Sequence, residues 1–317
     1  MTEFVPNYYS SFKCIAQKCK KNCCIGWEID IDENTYTKYK NMDGAFGKRL
    51  MQSIKFQDDT HCFILGEDER CPFLNSDNLC DIIIQSGEDS ICQICTEHPR
   101  FHNYYQNRCE SGIGLCCEEA ARIILTDSNS FELISQCDES NNTPTDENFW
   151  FDYRDKLFEI VCNRNKSIKQ RIQQLLSFCK LKSENFDCNG WIEFYLSLER
   201  LDEKWTDYLL NTKNCPNKTD IYLFITKYKI AAEQILIYFL YRYTPKAIYE
   251  NLASEWIIFS ILSCYMIFVI AHANKAKTIE DICNTARMYS AEIEYSDENI
   301  DMIFNKLSKY INPGICP

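Results

Sequence analysis

The sequence predicts a mainly α-helical chain in which an irregular, cysteine-rich, metal-binding N-terminal region is packed on a C-terminal helical bundle. Three observations carry that expectation. Of twenty cysteines in 317 residues, twelve fall before position 120, where long apolar periodicity is lacking. Beyond position 147 the pattern changes to apolar residues three or four apart, stretch after stretch, as in Leu157, Ile160 and Val161. Between the two, residues 127–147 are rich in Ser, Asn, Thr and Asp and carry a proline, the composition of a connection. The expected division is therefore a cysteine-rich region 1–126, a linker 127–147 and a helical domain 148–317.

Within the first region turn signals recur at MDGAFG (from Met42), CPFLNSDN (from Cys71) and QSGEDS (from Gln85), so short helices and irregular loops are expected. Asp32 is placed to cap a helix through DENTYTKYKNM whose face carries Tyr36 and Tyr39. A second helix is expected through CCEEAARIILT, with Glu118 and Glu119 in its first turn, where negative charge suits the helix dipole. After the linker, helices are expected over 147–164, 166–180, 189–211, 219–243, 247–274, 278–291 and 296–310. Thr219-Asp220 and Ser296-Asp297 serve as caps, and Pro216 and Pro245 mark breaks.

Forty-six acidic against 34 basic residues give a net charge of −12, which leaves no broad basic footprint for a phosphate backbone and argues against a nucleic-acid partner. The N-terminus MTEFVPNYYSSFKC has no charged stretch followed by an apolar one, so a cytoplasmic location is expected. Residues 256–273, WIIFSILSCYMIFVIAHA, are almost uncharged over close to the ~20 residues a membrane span needs. Interrupted by Ser260, Ser263 and His272, the stretch reads better as a helix buried on all sides within a bundle. No membrane span is favoured.

Twenty cysteines in a reducing compartment point to metal ligands rather than disulfides. The spacings are Cys14-x4-Cys19-x3-Cys23-Cys24, Cys71-x8-Cys80, Cys92-x2-Cys95 and Cys116-Cys117. Thiolates are soft ligands that suit zinc and iron–sulfur clusters alike. Zinc fingers use two pairs at short spacing and only Cys92/Cys95 has it, whereas cluster ligands come from loops at looser spacing. The three-cysteine run of radical S-adenosylmethionine enzymes is absent, because Cys19-x3-Cys23 is followed at once by Cys24. On the helical half, Cys137, Cys162, Cys179, Cys188, Cys264 and Cys283 read as small buried hydrophobes. Nine glycines supply no G-x-G-x-x-G after a strand, so the dinucleotide fingerprint is missing.

FKCIAQKCKKNCCIGWEIDIDENTYTKY, CPFLNSDNLCDI, ICQICTEHPRF and ESGIGLCCEEAARIIL, taken in this order over residues 12–125, resemble the successive blocks of the flagellin lysine-N-methylase family, and more weakly the wider group of cysteine-rich zinc- or iron-chelating domains. One departure stands out: where the family's last block reads Ser-Cys-Pro-Glu-Ala, this chain has Cys116-Cys117-Glu118-Glu119-Ala120. The resemblance implies methyl transfer from S-adenosylmethionine to lysine ε-amines of flagellin, with one or two [4Fe-4S] clusters in the cysteine-rich region and zinc as the alternative metal. Nine cysteines match the family blocks: Cys14, Cys19, Cys23, Cys24, Cys71, Cys80, Cys92, Cys95 and Cys117.

A lysine ammonium has no lone pair and must lose a proton before it attacks a sulfonium methyl. Glu97, Glu110 and Glu119 flank matched cysteines and are the candidate bases. For the donor, Arg100 is the candidate partner of its carboxylate, and Trp27 and Phe101 are candidate faces for its sulfonium. His98 is a scaffold residue or a ligand. Two other readings remain open: an iron–sulfur enzyme acting on another peptide or a small molecule, and a non-catalytic zinc- or iron-binding module.

Overall fold

In the computed structural model the chain leaves the larger of its two units after twelve residues and returns to it at His102: one unit is 13–101, the other 1–12 with 102–317. Residues 1–136, 145–181, 186–213 and 216–309 are described. In chain order the elements up to the return are β1 (Thr2–Pro6), β2 (Asp30–Ile31), α1 (Glu33–Lys40), α2 (Gly44–Gln52), β3 (Ile54–Gln57), β4 (Thr60–Phe63), α3 (Asp81–Ser86), α4 (Gln93–Glu97) and β5 (Arg100–Tyr104). There follow β6 (Arg108–Ile113), α5 (Glu118–Thr126), β7 (Leu133–Ser135), α6 (Asn148–Val161), α7 (Ile168–Phe178), α8 (Cys188–Ser197) and α9 (Glu203–Asn211). The chain closes with α10 (Lys218–Lys227), α11 (Lys229–Arg242), α12 (Thr244–Tyr249), α13 (Ala253–Ala273), α14 (Ile279–Ile293) and α15 (Asp297–Ser308). The mainly helical expectation holds, but the first region carries strands as well.

In the smaller unit β2, β4 and β3 form an antiparallel sheet in that order. Asp58 and Asp59 join β3 to β4 with φ of +50° and +61°, the left-handed pair that matches hairpin twist. Ile29, Ile31, Tyr39, Leu50, Phe63, Phe73 and Ile82 make the core, and Cys71 and Cys92 are buried among them. Asp32 caps α1 as expected, accepting from the Thr35 amide. The MDGAFG stretch is not a loop: Asp43 stands at the N-cap position and α2 begins at Gly44.

In the larger unit β1 runs parallel to β6 (Thr2 opposite Arg108, Phe4 opposite Glu110) and antiparallel to β7. This pairing explains why the observed units differ from a cut at 126: residues 102–126 complete a sheet with the first strand. Part of the expected linker is itself a strand, β7, and 137–144 lie outside the described residues.

The helical expectations hold with three breaks. The stretch 189–211 divides at Leu198–Asp202, where Glu292 accepts from the amides of Leu201 and Asp202. The stretch 219–243 divides at Tyr228 (φ −115°, ψ 40°), and Asn217, not Thr219, supplies the cap of α10. Pro245 lies in the first turn of a separate short helix, α12, ended by Asn251 at φ +56°.

Helix α13 contains residues 256–273, and 89% of its most apolar window is buried. It is flanked by α9, α10, α11, α12, α14 and α15. The burial of an apolar helix on every side accounts for its composition. Cys179, Cys264 and Cys283 are buried as expected, whereas Cys162 is only half-buried. Cys188 departs from the expectation of a buried free thiol: it is half-buried and disulfide-bonded. Cys137 lies outside the described residues.

Candidate metal centre

Three local devices of the smaller unit bring thiols together. The first is the loop CPFLNSDNLC. Asn75 accepts from the amides of Asp77 and Leu79 through its side chain, Arg70 donates to the carbonyls of Leu74 and Asn75, and Leu74 bridges to Cys80. An Asn side chain that mimics a backbone turn closes such a loop tightly. Arg49 braces it from α2, donating to Asp81 at 2.8 Å and to the Pro72 carbonyl at 2.7 Å. The second device attaches the Cys23-Cys24 pair, since the Cys71 amide donates to the Cys24 carbonyl at 2.9 Å. The third is Asp32, whose second carboxylate oxygen accepts from the Gln93 amide at 2.9 Å, joining α1 to the start of α4, which carries Cys95.

The result is a neighbourhood of six unpaired thiols: Cys23, Cys24, Cys71, Cys80, Cys92 and Cys95. The thiol of Cys24 hydrogen-bonds to Cys23 and lies within electrostatic reach of Cys71 and Cys80. That of Cys95 hydrogen-bonds to Cys92 and lies within electrostatic reach of Cys24 and Cys71. The hydrogen bond from Cys24 holds Cys23 below the ordinary thiol range against the opposing effect of burial. The hydrogen bond from Cys95 does the same for Cys92, again against burial and with help from the Tyr39 hydroxyl. The proton donors are pushed the other way: Cys24 and Cys95 lie well above the usual range through those same hydrogen bonds and burial. Burial pushes Cys71 up to about 11.

Two thiols, each made easier to ionise by a hydrogen bond from its neighbour, suit a soft metal, because thiolates are the ligands and binding releases the protons that remain. Among the described residues no three His, Cys, Asp or Glu side chains stand ready around a single ion. A polynuclear cluster makes a different demand, since its ligands are spread over several metal atoms. The donor set of sulfurs without oxygen ligands suits it.

The other sequence-derived candidates lie as follows. Cys14 is exposed and Cys19 half-buried. Cys117 belongs to the larger unit, at the N-cap position of α5. Glu97 ends α4 in the smaller unit and is half-buried. Glu110 is fully buried in the larger unit, its oxygens accepting from Arg154 at 2.6 and 2.7 Å, with Arg108 paired to it as well. It sits among cations rather than facing an open site. Glu119, in the first turn of α5, accepts two bonds from Arg122, at 2.8 and 2.6 Å. Trp27 and Phe101 are half-buried, and Arg100 donates to the Thr96 carbonyl at 3.1 Å. Burial pushes the His98 imidazole down to about 4, so it is neutral at physiological pH.

Sequence reasoning did not single out Tyr39 beyond its helix face, nor Asp32 beyond its cap. In the larger unit it also missed a buried polar group in which Glu294 pairs with Arg242 and accepts from Tyr238 and Tyr243. A carboxylate among aromatic residues in a helical pattern carries no sequence signal of its own.

Residues 111–313, more than half of the chain, match the family model described as the FliB lysine N-methylase C-terminal domain. The chain belongs to the FliB lysine N-methylase family. Among curated proteins it is similar to the Lysine-N-methylase of Salmonella typhimurium, with 25% identity over 190 residues, 55% of this chain and 45% of that protein. The Lysine-N-methylase of Salmonella choleraesuis matches to the same extent. The Flagellar biosynthetic protein FliU of Salmonella muenchen is 28% identical over 137 residues, 40% of this chain and 79% of that protein. The chain spans about half the length of the curated lysine-N-methylases it matches. No solved structure matches. The FliB family model falls wholly on the larger unit and leaves the thiol-bearing residues 13–101 outside it. Family membership and thiol convergence are therefore separate observations.

Proposed function

We propose that this chain methylates lysine ε-amines of a protein substrate of the flagellin type, taking the methyl group from S-adenosylmethionine and holding a [4Fe-4S] cluster on thiolates of its smaller unit. The carrying observation is the gathering of Cys23, Cys24, Cys71, Cys80, Cys92 and Cys95, unpaired, in a chain whose larger unit matches the lysine N-methylase family model. A cubane takes at most four protein thiolates. Cys71, Cys80, Cys92 and Cys95 come from the two loop-borne pairs, and Cys24 stands beside them as the fifth candidate.

Bound there, the cluster would supply a Lewis-acidic iron toward the methyl donor. The chain itself must bind the rest of the donor and take a proton from the acceptor amine. Arg100 is assigned to the donor carboxylate, and Trp27 and Phe101 to the sulfonium face, an attraction of about 0.5–2 kcal/mol. Of the three candidate carboxylates, Glu97 is the one carried by the smaller unit that bears the thiols, and it is assigned as proton acceptor. At neutral pH only a small share of a lysine with pKa near ~10.4 is uncharged, so a positioned base is worth about 10²–10⁴ in rate.

The test is anaerobic purification of the full chain with iron, sulfide and zinc analysis, followed by titration with S-adenosylmethionine and a mass-spectrometric assay on flagellin. Iron and sulfide in equal amounts, a visible band altered by the donor, and lysines gaining 14 Da, the mass of a CH₂, support the reading. Stoichiometric zinc with a colourless protein that methylates nothing overturns it. Arg100→Ala with unchanged donor affinity removes that assignment alone.

A further inference from the structure

One phenol stands among the six thiols. Tyr39, on α1, is fully buried, its ring stacked along Phe63 with centroids 6.2 Å apart. Its hydroxyl lies 2.8 Å from the Ser90 carbonyl oxygen and 3.7 Å from Cys92 Sγ. That hydroxyl has one hydrogen and two acceptors within reach. While Cys92 carries its proton, the S–H can donate to the phenolic oxygen and the O–H to Ser90, and every group is satisfied. Once the sulfur is a metal-bound thiolate, its hydrogen is gone and a negatively charged acceptor faces a neutral donor, a charge-assisted bond roughly twice as strong as a neutral one.

A phenolic O–H is a hydrogen-bond donor in its own right, whatever the state of the sulfur beside it. Its place is fixed from both ends. Asp32 caps α1 and accepts from the Gln93 amide, and Tyr39 itself reaches Ser90, two residues before Cys92.

We propose that Tyr39 is a positioning residue for the cluster: its O–H moves from the Ser90 carbonyl to Cys92 Sγ when that sulfur binds iron, and this bond raises the cluster's reduction potential. The proposal rests on the cluster reading above. Hydrogen bonds to ligating sulfurs are among the levers that set cluster potentials, and a donor favours the more negative, reduced form.

The experiment uses the full chain reconstituted anaerobically with iron and sulfide, with metal content measured first and the midpoint potential then taken by titration followed in the visible and by electron paramagnetic resonance. Tyr39→Phe keeps the ring and removes the donor; it is expected to load equal iron and sulfide and to shift the midpoint to more negative values. Incorporation of 3-fluorotyrosine in place of Tyr39, a stronger donor of nearly the same shape, is expected to shift it the other way and serves if the phenylalanine variant does not fold. Tyr36→Phe, on the same helix but stacked on His61 at 3.6 Å, is expected to leave it unmoved. Equal midpoints in all forms at full occupancy overturn the role of Tyr39 and leave the cluster standing. Zinc uptake without iron or sulfide in the unsubstituted chain overturns both.

Discussion

Replacing Glu110 by glutamine separates a chemical role for this carboxylate from a structural one. Its side chain and that of Arg154 are both 0% exposed. Two oxygens accept from one guanidinium at 2.6 and 2.7 Å, while Arg108 supplies a second cation. An amide in that place keeps one acceptor, turns a donor toward a donor and leaves two cations around a neutral group. Removing one member of a buried pair costs about 3–5 kcal/mol. Arg108 relieves part of that cost: its side chain is 18% exposed and lies over the rings of Phe4 and Phe151 at 4.0 and 4.2 Å. The lower end, about 3 kcal/mol, is therefore expected. At about 2–4 °C per kcal/mol for a unit of 150–250 residues, the melting temperature falls by about 6–12 °C. Thermal and urea unfolding followed by circular dichroism measure it. Glu110→Met with Arg154→Met removes both buried charges and is expected to recover much of the loss. A Glu110→Gln chain that melts within about 1 °C of the original yet transfers no methyl groups would refute the structural assignment.

Asp32→Ala removes the acceptor for the Thr35 and Gln93 amides; a loss of about 1–2 kcal/mol in urea unfolding and a lower iron content per chain are expected, and unchanged values would detach Asp32 from the thiol pocket. His98 is lowered by burial from 6.5 to about 4. The unfolded chain therefore binds the extra proton first, and this contribution is complete above pH 6.5 and fades as pH falls toward 4, by at most about 3 kcal/mol. His98→Gln is expected to flatten the stability profile between those values. Phe268→Ala, in the middle of α13 and 0% exposed, is expected to cost about 3–5 kcal/mol; a cost below 1 kcal/mol in aqueous unfolding would contradict the buried helix.

What could be read from the sequence follows the range of the interactions involved. The cap at Asp32, the acidic first turn of α5 and the helices after 147 depend on neighbours a few residues away, and they are where the pattern puts them. The breaks at Tyr228 and Leu198–Asp202 were not legible, because no proline or glycine marks them and distant partners such as Glu292 hold the freed amides. Strand β6 was hidden for another reason: RCESGI buries Glu110 and Ser111, so polar letters occupy core positions and the alternation of a strand is lost. The thiol-bearing loops were legible as chemistry from cysteine spacing. Their joining was not, since it depends on side chains such as Arg49 and Asp32 acting across 32 and 61 positions.

The parallel pairing of Thr2–Phe4 with Arg108–Glu110 imposes a schedule on synthesis. A ribosome working from the amino end must emit every residue of 13–101 before the first strand can find its mate. Closing a flexible loop of that length costs about 4 kcal/mol beyond a constant, growing only as the logarithm of its size. Little is lost by the detour, and the thiol-bearing segment is fully made, and free to acquire whatever it binds, before the sheet that brackets it can close.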